Sequence, residues 1–187
     1  MSSGIRRASL AVACAAAADA ALANAGGAAG VAMLDAWQPL LGREPAWIAA
    51  RARASRHCGA DRDALRLLIA ALRRRPRALC CWRELAATLA GLGRWDAARR
   101  AWLEVARLDP AAAAPWNAIA ALELLQARPA AARTAWFEAL RRDPADAEAC
   151  RAVRSCLDPR AAERFIAVAS AAAVRRRFVA AIPPAGV

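Results

Sequence analysis

The chain has 187 residues, a net charge of +12 and a pI near 11.3, and 59% of its residues are hydrophobic although only 5% are aromatic. Small side chains at that frequency argue against a sheet-dominated fold, which wants branched and aromatic residues, and for closely packed helices. A single histidine excludes multi-histidine metal sites, and the charge attracts acidic partners (protein surfaces, nucleic acid, anionic lipid) without choosing among them. Every one of the 28 basic residues is Arg. They are spread along most of the chain rather than concentrated, which is the pattern of solvated helix surfaces.

From the N-terminus, residues 8–34 form an Ala-rich run broken by Gly26-Gly27. Two readings compete. One is an export signal over residues 1–25, with Arg6-Arg7, an apolar stretch and the small-x-small site Ala23-Asn24-Ala25. The other is a helical hairpin, 8–25 and 28–41, turning at the paired glycines; Asp19 and Asn24 fit poorly in a signal core and favour it. Polar residues interrupt the run before the twenty or so that a membrane span needs, so a span is the weaker expectation. The first reading places the protein in the periplasm or on a membrane, the second in the cytoplasm.

From Pro45 a period sets in. Trp82 and Trp116 are 34 residues apart, as are Trp102 and Trp136. Ala64, Ala98 and Ala132 repeat at the same interval, and so do Pro76, Pro110 and Pro144. Bulky, small and helix-ending residues recurring in phase mean one supersecondary unit copied along the chain, here a helix–turn–helix. The middle copy reads Trp82, Leu85, Ala86, Leu89, Gly93, Ala98, Trp102, Pro110, which resembles the tetratricopeptide repeat. The next copy matches through Trp116, Ile119, Ala120, Ala132, Trp136, Ala139 and Pro144, departing at Glu123 and Pro129. The first matches through Gly59, Ala64, Leu68, Ala71 and Pro76, with Ile48 in place of Trp and Arg51 in place of Leu. The expected fold is therefore all-α: tandem helix–turn–helix repeats stacked as a short right-handed solenoid with a C-terminal capping helix. Its parts are an N-terminal hairpin (1–44), three repeats (45–78, 79–112, 113–146) and a terminal segment (147–187). Gly59 and Gly93 end first helices in a conformation that needs no Cβ. Pro110 and Pro144 stop second helices.

Beyond Pro144, residues 146–157 read as a further first helix. Asp158-Pro159 restarts the chain as N-cap and first helical residue. The helix that follows carries Phe165, Val168, Ala172 and Val179 on one stripe, then Arg175-Arg176-Arg177 and the breaker Pro183-Pro184. It is expected to cap the array, with a basic membrane-surface helix as the rival reading.

No catalytic constellation is present. P-loop, G-x-G-x-x-G and G-x-S-x-G patterns are all missing, and carboxylates such as Asp96, Glu104 and Glu138 suit surface pairs with Arg. The six cysteines show no C-x-x-C spacing and are expected as free thiols. His57-Cys58 and Cys80-Cys81 could approach one another if units stack, but in no zinc spacing. Neither a metal nor a cofactor is implied, and the chain is read as a non-enzyme. The resemblance implies that first helices line a concave face through positions 2, 5, 9, 12 and 13 of each unit. Position 5 brings Arg83, Asn117 and Arg151; positions 9, 12 and 13 bring Arg53, Arg56 and His57. A column of Arg and Asn suits bidentate capture of an acidic or C-terminal peptide segment. The family's carboxylate clamp of Lys and Asn is not reproduced. The expected function is a protein-interaction adaptor with a protein or peptide partner. Alternatives are a periplasmic or membrane-tethered protein of envelope or polysaccharide assembly, and an RNA-binding helical repeat.

Overall fold

The computed structural model describes residues 2–181, with side chains over 4–174. Among them lie ten α-helices and no strand. The side chains of Arg175, Arg176, Arg177 and Val179, and all of Pro183-Pro184, fall outside the described residues. The chain divides into two compact units, residues 1–108 and 109–187.

The first unit holds α1 (Ser2–Ala25), α2 (Gly27–Leu41), α3 (Pro45–His57), α4 (Asp61–Arg74), α5 (Leu79–Gly91) and α6 (Trp95–Leu108). Consecutive helices pair as antiparallel hairpins, and α1, α3 and α5 also pack side by side. The packing follows from a column of small residues. Ala18, Ala52 and Ala86, each 34 after the last, are wholly buried, and Gly30, Ala64 and Ala98 do the same on second helices. A side chain no larger than methyl lets backbones approach, and a Cβ on Gly30 would come within 2.8 Å of the Leu22 side chain. Larger apolar groups fill what remains: Leu34 at one level, Leu68 a period later, and Trp102 a period after that, with Cys14, Ile48 and Trp82 forming the matching series on first helices. By this register α1 and α2 are a further copy of the repeat, occupying 11–44. The motif's tryptophans and closing proline are missing there, and its small residues remain together with Leu34.

The second unit holds α7 (Ala114–Leu125), α8 (Pro129–Arg142), α9 (Ala147–Cys156) and α10 (Pro159–Ala181). Helix α8 packs on α7, α9 and α10. Asp146 caps α9, accepting from the Ala149 N–H at 2.7 Å, and Asp158 caps α10 through the Ala161 N–H at 3.0 Å. Helix α10 covers α8, with Phe165 edge-on to Phe137 at a centroid distance of 5.7 Å. Its buried stripe is Ala162, Ala169 and Ala173. Val168, expected on that stripe, is 60% exposed, because the close approach of α10 to α8 selects the alanines instead.

One turn recurs three times. After α3, α5 and α7 the chain enters the left-handed region at Gly59 (φ 75°), Gly93 (φ 70°) and Ala127 (φ 56°), again at intervals of 34. Each is closed by the same two bonds: Gly59 N–H to Arg56 O and Ala60 N–H to Ser55 O, Gly93 to Ala90 and Arg94 to Leu89, Ala127 to Leu124 and Arg128 to Glu123. This pair of hydrogen bonds satisfies the last carbonyls of the helix and sets the angle at which its partner returns.

Candidate functional site

Of the six residues singled out from the sequence, four stand in the first unit. Arg53 sits mid-helix on α3, and Glu84, on α5 in the next copy and one turn earlier within it, takes two of its bonds: Nε donates at 2.9 Å and Nη2 at 2.7 Å, both to Oε1. The remaining amino group donates to Asp19 Oδ2 on α1 at 2.5 Å. Burial works against the Arg53 charge, but the two carboxylates more than offset it and raise its pKa. Arg53 thus ties three first helices together. Arg56, one turn on, places Nη2 3.6 Å from Glu84 Oε2. His57 and Arg83 lie on the exposed surface of the same helices.

This network is not closed. Arg56 Nε, Glu84 Oε2 and Asp19 Oδ1 are buried, and none has a hydrogen-bond partner among the described residues. A donor and two acceptors are therefore held in register along the first-helix face of this unit, next to two exposed basic side chains. Buried polar groups normally find partners, and these three atoms are closed off from solvent without one among the described residues.

The second unit places its two candidates differently. Asn117 is buried, and its Nδ2 donates to Asp146 Oδ1 at 2.8 Å, bracing the capping residue of α9. Arg151 is exposed on α9. Nearby, Arg142 is largely enclosed: its guanidinium lies 4.4 Å from the Trp116 ring centroid and bonds Glu138. Burial pushes the Glu138 carboxyl up, but donation from Arg142 and Arg141 outweighs it and holds the group below the usual carboxylate range. Glu123, where the motif wants an apolar residue, is buried with Arg128 Nη1 3.8 Å from its carboxylate.

Asp19 and Glu84 were missed from the sequence, yet a signal existed. Asp19 precedes Arg53 by one full period, and Glu84 follows it by 31, a period less one turn. Opposite charges at those offsets face each other on neighbouring first helices.

All six cysteines are free thiols. Cys80 has its pKa lowered to about 7 by the adjoining Cys81 thiol, with burial opposing, and the same neighbour effect pushes up Cys81, whose Sγ lies 3.5 Å from Pro45 O. Among the described residues no group of three or more His, Cys, Asp or Glu could hold a metal ion.

No protein-family model matches the sequence, and no curated protein matches it. Solved structures do match. MamA from Desulfovibrio magneticus, residue 41 to its end, superposes with a TM-score of 0.62 at 15% identity, covering 91% of this chain and 97% of that one. A second MamA structure gives 0.62 at 10% identity over 88% and 96% of the two chains. A tetratricopeptide repeat protein from Parabacteroides merdae gives 0.59 at 11% identity over 91% and 64%. The chain therefore has the tetratricopeptide-repeat fold.

Proposed function

We propose that this chain is a non-enzymatic protein-interaction scaffold whose first-helix face in residues 1–108 takes up an acidic or C-terminal peptide segment. The observation that carries the reading is the open network around Arg53. Arg56, ion-paired at the edge of that network, keeps 31% of its side chain exposed on this face, where a peptide carboxylate or carbonyl can accept from its guanidinium. Arg83 and His57, exposed beside it, supply the preference for acidic side chains or a terminal carboxylate. Arg53 itself contributes chiefly order, since three of its five N–H donors are taken within the fold.

The test is fluorescence anisotropy with a Glu-rich peptide bearing a free C-terminus, alongside its amidated twin. Arg56→Ala combined with Arg83→Glu is expected to abolish binding while the far-UV circular dichroism stays that of the native chain. Unchanged affinity in the double variant would overturn the reading.

A second reading, a membrane-tethered scaffold, draws on α1. Gly4–Ala25 is long and apolar enough to cross a membrane by length and composition, with a mean hydropathy of 1.5, and most of it is exposed. Against this, Ala11, Cys14 and Ala18 are buried in the same core as Leu34 and Trp47. Fractionation of the full chain with membranes, compared with a chain starting at Gly27, distinguishes the two.

A further inference from the structure

At the end of the first unit where α1 begins and α2 and α4 finish, a cleft of about 610 Å³ opens. Arg7 from α1, Arg43 from the α2–α3 turn, Arg74 at the end of α4 and Arg75 just after it line its wall, together with Leu40 and Glu44. Four arginines thus line the cleft with one acidic residue, and that carboxylate is already paired, with Arg75 Nη1 3.2 Å from Glu44 Oε2. Arg7, Arg43 and Arg74 make no ion pair among the described residues.

Helix electrostatics account for part of this arrangement. Arg74 and Arg75 stand where a helix ends in unsatisfied carbonyls, and a cation is favoured there on local grounds. The other two have no such explanation. Arg7 sits in the second turn of α1, far from the helix end that favours positive charge, and Arg43 belongs to no helix. Guanidinium groups cannot shed a proton to relieve their mutual repulsion. An oxyanion placed between them removes that repulsion and accepts paired N–H bonds in the geometry arginine offers.

We propose that this cleft binds a phosphoryl group. A carboxylate carries one charge, whereas a phosphoryl group carries up to two and presents three acceptor oxygens, the better match for three cations without a partner. A smaller recess of about 280 Å³ shares Arg43, Arg74 and Arg75 and adds Pro45, Ile48 and Ala71. An apolar wall beside the anion site suits a phosphoryl group attached to an apolar portion. That chemistry is met by a soluble phosphorylated compound and by a lipid headgroup alike. The site is separate from the first-helix face proposed above and does not depend on it.

Calorimetry with inorganic tripolyphosphate and sedimentation with phosphatidylglycerol vesicles, against phosphatidylcholine vesicles, test the proposal at physiological salt. Arg43→Glu with Arg74→Glu is compared with Arg133→Glu plus Arg160→Glu, exposed positions of the second unit that lower net charge equally. The cleft variant is expected to lose about tenfold or more in affinity while the remote variant keeps it. Tripolyphosphate binding without vesicle binding assigns a soluble ligand; vesicle binding assigns a headgroup. Should the cleft variant fail to fold, Arg43→Gln with Arg74→Gln replaces it, set against Arg133→Gln with Arg160→Gln. No binding of either probe, or equal weakening by the two variants, overturns the site.

Discussion

Ala127 occupies a backbone conformation that its two sequence counterparts leave to glycine. Its φ of 56° and its closing bonds, Ala127 N–H to Leu124 O at 2.9 Å and Arg128 N–H to Glu123 O at 2.8 Å, reproduce those at Gly59 and Gly93. For an L-residue the left-handed region costs roughly 1–2 kcal/mol, from the contact of Cβ with the following carbonyl. Replacing Ala127 with Gly removes that strain but gives the unfolded chain more freedom, worth about 0.4–1 kcal/mol in the other direction. The net expectation is a gain of about 0.5–1 kcal/mol, because the two terms partly cancel. The opposite changes, Gly59→Ala and Gly93→Ala, are expected to lose a similar amount. Space does not confound them: a Cβ at Gly59 meets nothing within 4 Å, and at Gly93 it meets the Trp95 ring no closer than 3.8 Å. Urea unfolding followed by circular dichroism, with midpoints compared at constant slope, reads all three. If Ala127→Gly is neutral or destabilising while both reverse substitutions destabilise, the third turn does not share the geometry of the first two. If all three are neutral, the turns are not what orients the returning helices.

Glu84→Ala leaves Arg53 with Asp19 alone and removes the ion pair of Arg56. Arg53 is one-third exposed, so the loss is set at about 2 kcal/mol rather than the larger figure for a fully buried pair, and a double-mutant cycle with Arg53→Ala should return a coupling above about 1 kcal/mol. A coupling near zero would show the contact to be incidental. Glu138 has its folded pKa depressed, so its stabilisation is present above the ordinary carboxylate value of 4.5 and fades as pH falls through the folded value. Glu138→Gln should therefore be less stable than the native chain at neutral pH, and the gap should narrow as pH falls below 4.5; a gap that does not change with acidification would contradict the pairing. Cys80 should react with iodoacetamide at a rate that is half-maximal near pH 7, and Cys81→Ala should move that midpoint toward the ordinary thiol value of 9.0, as peptide mapping by mass spectrometry would show.

The repeat was legible in residues that are rare in this composition. Tryptophan, glycine and proline stand out against an alanine background, so their intervals of 34 residues fixed the helix pairs from Pro45 to Arg142 and the turns at Gly59 and Gly93. The same logic explains what was hidden. In 11–44 the repeat persists only through Ala18, Gly30 and Leu34, and an alanine in phase carries almost no information in an alanine-rich chain. Ala127 was illegible for the same reason, since no sequence rule assigns a left-handed turn to alanine. On α10 the periodic pattern offered Val168, but helices in close contact bury their smallest side chains, and Ala169 was the residue chosen.

The candidate interaction residues show why charge alone could not rank them. Arg53 and Arg142 look in sequence like any other helical arginine, yet each is consumed within the fold, one by Glu84 and Asp19, the other by Glu138 and the face of Trp116. Each spends its donors on ordering neighbouring helices, so removing either weakens the scaffold before it weakens any contact with a partner. A partner can use only guanidiniums whose donors remain available. In the first unit the first-helix face, where Arg56 is partly exposed, and the cleft beside Arg7, Arg43 and Arg74 are two places that meet this condition. The excess of +12 is therefore not a single basic surface. Acidic peptide and phosphoryl ligand would meet different subsets of it, and salt should weaken both while Arg56→Ala weakens only the first.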